Sequence, residues 1–211
     1  MSNFLPYQSI SNKLALLNTY HQSILEEYRN NIGELEFRDF TQEQKEYIEE
    51  HSQGYPIGYE TYYRARLRDS SKKGWHIAPL FAENNLYHIN TSKLPILTQV
   101  LSSIGMTTVC AINVLDPGQS LNWHIDKDYI PGVQLLRIMW GLDIDETEDN
   151  SSIIQIRSDD GSVETKQFKN REFYIFHPMS EHRVENNMST PRSVVCIDYI
   201  VGNKYIRQSI L

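Results

Sequence analysis

The chain has 211 residues, 40% apolar and 22% charged, with a formal net charge of −7; this is ordinary globular composition, long enough for a substantial core, and predicts a single domain over residues 1–211. The negative balance argues against non-specific nucleic-acid binding, which draws on a cationic face. No apolar run approaches the roughly 18–20 residues that span a bilayer, and the N-terminal "MSNFLPYQSI" lacks a basic region ahead of an apolar stretch, so a cytoplasmic protein without a membrane partner is expected.

In chain order, residues 1–55 read as a helical region and 56–211 as a β-rich core. Leu14, Leu17, Ile24, Leu25 and Tyr28 keep roughly helical spacing, and Thr41 to Gln44 has the form of a capping box ahead of "KEYIEEH". The stretch "GYETYYRARLRD" suggests a strand with Arg64, Arg66 and Arg68 on one face. Lys93 to Ile104 reads as a further helix, with Leu94, Leu97, Val100, Leu101 and Ile104 on one side and Gly105 ending it. From Thr107 the texture changes to short runs rich in β-branched and aromatic residues: "TTVCAINVL", "VQLLRIMWGLDI", "SSIIQIRS", "SVETKQF", "REFYIF" and "RSVVCIDYIV". Turn signals such as Asp116-Pro117-Gly118 and Asp159-Asp160-Gly161 divide them. Many short strands after helices predict an antiparallel sandwich or barrel with helices packed outside it. Cys110 and Cys196 lie inside apolar runs without CxxC spacing and read as reduced core thiols.

The chemistry concentrates in "NWHIDKDYI", residues 122–130. In an extended segment His124 and Asp126 share a face, and Asp128 follows one step further out. A metal site, a proton-transfer pair and a salt-bridged surface all fit such a pair. A facial triad for non-haem Fe(II) adds a second His and leaves coordination positions open. His182, in "FHPMSEHRVEN", is the candidate; His177, five residues earlier, is its rival. Arg192 stands ten residues beyond His182, whereas Asn187 stands ten beyond His177. A guanidinium in the mouth of a barrel suits a bidentate grip on a dicarboxylate co-substrate that a metal chelates at its other end. Trp123, Trp140 and Tyr174 are candidates to line such a pocket, with core packing the plainer role for each.

From Gly74 to about Val201 these residues resemble the aspartyl/asparaginyl β-hydroxylase family of Fe(II)/2-oxoglutarate oxygenases, in particular its proline-hydroxylase-like branch. "INVLDPGQSLNWH", "LLRIMWGLDI" and "FHPMSEHRVEN" followed by Arg192 echo the family's phrases, whereas the first seventy residues add nothing to the likeness. The resemblance implies a double-stranded β-helix (jelly-roll, cupin-like) core. It implies Fe(II) held by His124, Asp126 and His182, and 2-oxoglutarate held by Arg192. Asn113 stands where the family often has a Ser contacting the same carboxylate, and Arg137 is a candidate contact for substrate or co-substrate. Dioxygen would be the oxidant, and a C–H bond would be hydroxylated as 2-oxoglutarate is decarboxylated to succinate. The family's animal peptide hydroxylases lack a carboxylate two residues after the first His. Asp126 would fill the position a halide needs and so favours hydroxylation over halogenation. Met139 replaces a family His, and His177-Pro178 replace an acidic pair. The expected substrate is a small molecule such as a free amino acid; a peptide or protein side chain, or a metal-binding cupin-like sensor without turnover, are the alternatives.

Overall fold

A computed structural model describes residues 3–6, 10, 12–37, 74–82, 85–105, 107–126, 133–147 and 151–203. The capping box at Thr41, the Arg64/Arg66/Arg68 stretch, Asp128 and the boundary at 55/56 fall outside them.

Helix α1 (Ala15–Thr19) and helix α2 (His21–Asn31) follow a short 3-10 turn and are separated by a break at Tyr20. The spacing that reads as one helix is thus carried by two, yet Leu14, Leu17, Ile24, Leu25 and Tyr28 are all buried on one side. A one-turn helix α3 (His88–Thr91) precedes α4 (Pro95–Ile104). α4 starts two residues later than Lys93, with Pro95 in its first turn, where no hydrogen bond is lost. Glu27 reaches across from α2 and accepts from the backbone N–H groups of Ile96 and Leu97, at 2.8 and 3.1 Å, as the cap of α4. Gly105 ends α4 with a φ of +68°, a conformation open to glycine.

Among the described residues ten strands follow the helical start: β1 (Trp75–Ala82), β2 (Asn85–Leu86), β3 (Thr107–Leu115), β4 (Ser120–His124), β5 (Val133–Asp143), β6 (Ser152–Arg157), β7 (Val163–Gln167), β8 (Phe173–Phe176), β9 (Glu181–Asn186) and β10 (Arg192–Asn203). They form a six-stranded sheet in the order β2-β1-β3-β10-β5-β8 and a four-stranded sheet in the order β4-β9-β6-β7, with every pairing antiparallel. The two sheets pack face to face as a jelly roll.

Two cores result, one on each face of the larger sheet. Its outer face carries Ile112, Ile138, Trp140, Val195 and Ile197 against Leu17, Ile24, Leu97 and Leu101 of the helices. Its inner face carries Ala111, Met139, Val194 and Cys196 against Leu121, Ile154, Ile156 and Val184 of the smaller sheet. Residues 3–6 add a strap: Leu5 donates its N–H to Ile175 O on edge strand β8, and Phe4 inserts between Tyr174 and Phe176. Gly141 in β5 is required by a close approach, because a Cβ there would lie 1.9 Å from the carbonyl oxygen of Lys169.

Candidate metal centre and anion pocket

β4 ends at His124, so the extended segment read through Asp126 stops short. Asp126 nevertheless reaches the same point from the following coil, where its N–H donates to Pro178 O at 3.1 Å. The turn after β8 (Ser180 N–H to His177 O, 2.9 Å) delivers β9, and register pairs His124 with His182 across β4 and β9. One ligand atom each from His124, Asp126 and His182 lies within 4.8 Å of the others, the only such cluster among the described residues. Nε2 of His182 is 3.5 Å from Oδ2 of Asp126, and Nε2 of His124 is 3.9 Å from its Oδ1. His177 lies exposed in the turn, its Nδ1 accepting from the Met179 N–H, and stands outside the cluster.

The two imidazoles are held alike. Nδ1 of His124 is 2.6 Å from Asn122 O and Nδ1 of His182 is 2.8 Å from Ser180 O, in each case the carbonyl two residues back. A carbonyl only accepts, so each Nδ1 carries the proton and each Nε2 turns a lone pair toward Asp126. Burial, opposed by Asp126 and reinforced by His124, brings the His182 pKa down to about 3, which keeps the ring neutral. Two imidazoles and a carboxylate are a donor set for a divalent first-row metal.

Asn113 (β3), Arg137 (β5) and Arg192 (β10) share the cleft with His124 and His182, walled by Trp75, Leu121, Met139 and Val184. Arg192 is 2% exposed, its guanidinium lies 4.4 Å from the centre of the Phe168 ring, and neither Nε nor Nη1 has a hydrogen-bond partner among the described residues. Burial pulls its pKa down to about 10. The side-chain oxygen of Asn113 is likewise buried without a partner, and a half-turn of the amide would present its NH2 instead. Unpaired buried donors of this kind are costly and call for an anion. Arg137 differs: Nε and Nη2 grip Asp198 at 2.7 and 2.8 Å, and Nη1 holds Oδ2 of Asp126. Burial works against that charge, but the two carboxylates overcome it and hold its pKa well above the ordinary value.

Asp198, directly opposite Arg137 on β10, escapes notice in the sequence; its only signal is an acid in the run "VVCIDYIV". The three aromatic candidates lie elsewhere. Trp123 sits under the guanidinium of Arg157, 4.1 Å from its ring centre. Trp140 is buried on the helix side, donating to Asn18, and Tyr174 packs against Phe4 and Phe168.

The sequence model of the aspartyl/asparaginyl β-hydroxylase family matches residues 20–201, so the likeness takes in α2 and much of the region before Gly74 that the motifs leave blank. The chain belongs to the aspartyl/asparaginyl β-hydroxylase family. It is accordingly an oxidoreductase of the 2-oxoglutarate-dependent hydroxylase class, and its His124–Asp126–His182 cluster has the spacing to hold a metal ion. A search of the curated proteins returns no significant match. Among solved structures, a cysteine peptidase, peruvianin-I from Thevetia peruviana latex, is similar with a TM-score of 0.38 and 12% identity, covering 63% of this chain and 65% of that one. A predicted oxalate decarboxylase from Thermotoga maritima gives 0.37 and 13%, covering 60% and 81%. A cupin-2 domain from Rhodospirillum rubrum gives 0.37 and 8%, covering 63% of each chain. Among the described residues no helix is long and apolar enough to cross a membrane.

Proposed function

We propose that the protein hydroxylates an unactivated C–H bond of a free amino acid or related small molecule, with Fe(II), 2-oxoglutarate and dioxygen. His124 and His182 bind iron through Nε2, and Asp126 binds it through a carboxylate oxygen. Arg192 and Asn113 take the distal carboxylate of 2-oxoglutarate. The observation that carries this reading is the buried Arg192 guanidinium, two of whose nitrogens lack partners in the same cleft as the His–Asp–His cluster.

Formal charge supports the same reading. Among the described residues the buried acidic and basic side chains other than histidine are Asp126, Asp198, Arg137 and Arg192, whose charges cancel. A divalent metal alone would leave two positive charges in a low-dielectric site, and a dianion restores neutrality. When bound, iron and 2-oxoglutarate supply the oxidising chemistry: dioxygen is consumed, the co-substrate leaves as succinate and carbon dioxide, and one oxygen atom becomes the product hydroxyl.

The chain's own residues supply geometry and a dry site. The Asn122 and Ser180 carbonyls fix both imidazoles in the tautomer that offers Nε2. Arg192 orients the co-substrate by a bidentate, charge-assisted grip. Leu121, Met139 and Val184 keep water from the reacting centre. A small substrate is supported by the depth of the cleft, whose polar groups other than His124 are all less than a tenth exposed.

The test is an anaerobic titration of 2-oxoglutarate into Fe(II)-loaded protein, followed through the visible band of a metal-chelated 2-oxo acid. The band is expected in wild type and in His177→Ala and is lost in His182→Ala. Its absence from folded, iron-loaded wild type would leave a metal-binding barrel without turnover. Succinate formation across a panel of amino acids then identifies the substrate class, and a blank panel with active protein extracts would shift the choice to a protein side chain.

A further inference from the structure

We infer that Arg137 and Asp198 are positioning residues for the metal ligand Asp126, rather than contacts for co-substrate or substrate. The inference rests on the metal-site reading above and goes beyond it. Asp126 stands on coil past the end of β4, in line with the four-stranded sheet, with one backbone bond to the turn before β9. A carboxylate there has two soft side-chain torsions, so its direction must be set from outside. Arg137 sets it from the other sheet.

The guanidinium is itself fixed. Arg137 and Asp198 are register partners on β5 and β10, the two most extensively paired strands of the larger sheet. Asp198 receives Nε and Nη2 together, which locks the guanidinium plane. The remaining nitrogen, Nη1, is then aimed at Oδ2 of Asp126. Arg137 thereby fixes the plane of the carboxylate, which places Oδ2 3.5 Å from Nε2 of His182 and Oδ1 3.9 Å from Nε2 of His124. All three side chains are at most 6% exposed, so water does not compete for these bonds. Asp198 also sets the charge: Asp126, Arg137 and Asp198 together present one net negative charge to a cation, where Asp126 and Arg137 alone would present none.

Co(II) titration of wild type, Asp198→Asn and Arg137→Met, followed by calorimetry and by the visible d–d bands, tests this. Asp198→Asn keeps the shape and one acceptor; it should fold, bind Co(II) about 10–100-fold more weakly, and show shifted bands. At saturating Co(II) its affinity for 2-oxoglutarate should change less than its affinity for the metal. Arg137→Met separates positioning from simple charge. It makes the site more negative, so charge alone would tighten Co(II), whereas loss of positioning loosens it.

Wild-type affinity and bands in Asp198→Asn would overturn the inference, and that variant suffices should Arg137→Met not fold. Tighter Co(II) binding by Arg137→Met would also overturn it, as would loss of 2-oxoglutarate binding by Arg137→Met with the metal affinity kept. A wild-type chain that takes no Co(II), or a His124→Ala chain that takes it equally well, would instead remove the metal site on which the inference stands.

Discussion

The two faces of the six-stranded sheet do opposite work with alternate residues of the same strands. On β10, Ser193, Val195 and Ile197 look toward the helices, while Arg192, Val194, Cys196 and Asp198 look into the sandwich. The outer side is apolar and closely covered; its polar groups are few, and among them Tyr28 Oη meets Ser193 Oγ at 2.9 Å. The inner side holds four buried charges and the His–Asp–His cluster. A strand's period of two lets one face be selected for stability and the other for chemistry without conflict. Stability and ligand binding should therefore separate by residue parity along β10.

The largest expected effect is at Arg192. Arg192→Met should weaken 2-oxoglutarate binding to the metal-loaded protein by about 2–5 kcal/mol, which is roughly 30- to 5,000-fold. The same change should leave the ligand-free protein as stable as before, or more so, because a buried charge with no carboxylate partner among the described residues is replaced by an apolar chain. Parallel calorimetry and thermal denaturation check both halves. A variant that loses stability while keeping 2-oxoglutarate affinity would reverse the assignment of that face.

Five residues along the strand, on the other face, the expectation inverts. Ile197 is fully buried under the helices, and Ile197→Ala should cost about 2–5 kcal/mol of stability. Co(II) affinity of the folded fraction should stay within about twofold, as read from denaturation curves and metal titration. A smaller change on that face, Tyr28→Phe, removes one buried hydrogen bond and should cost about 1 kcal/mol. It should leave metal binding alone.

The same split explains what was legible in the sequence. β3, β5, β6, β8 and β10 carry apolar residues densely enough to show as β-branched or aromatic runs, and with β7 they fall within about two residues of their expected ends. β9 does not. In "EHRVEN" the buried positions are His182, Val184 and Asn186, so two of three inward residues are polar and the apolar alternation vanishes where the chemistry sits. β1 was hidden by Pro79, tolerated beside a register shift between Pro79 and Phe81. His124, Asp126 and His182 were readable because their spacing is local or carries a motif, although the strand thought to carry Asp126 stops at His124. The clamp on Asp126 was not readable, since Arg137 and Asp198 are 61 residues apart and meet only through the β5/β10 register. Pattern reveals side chains that share an element; partners on different elements need the topology.

The smallest prediction concerns His21, a titratable group buried on the outer face. His21 is 3% exposed, stands edge-on to Trp140, and donates from Nε2 to Leu142 O at 3.0 Å. Burial lowers its pKa below the ordinary 6.5; the bond to Leu142 and the charges of Asp143 and Glu146 work the other way, and Arg171 works with burial. An unfolded chain therefore takes up a proton near pH 6.5 that the native chain refuses. This contribution to stability is complete above that pH and is lost as pH falls toward the lower native value. Other groups titrate in the same window, so the informative quantity is the difference between wild type and His21→Gln in denaturant titrations without metal. The wild-type advantage should be constant from pH 8 to 7 and shrink steadily toward pH 5. An advantage that holds steady down to pH 5 would mean that His21 is protonated as readily in the fold as out of it, and the helix side of the sheet would then not be the dry face that its residues describe.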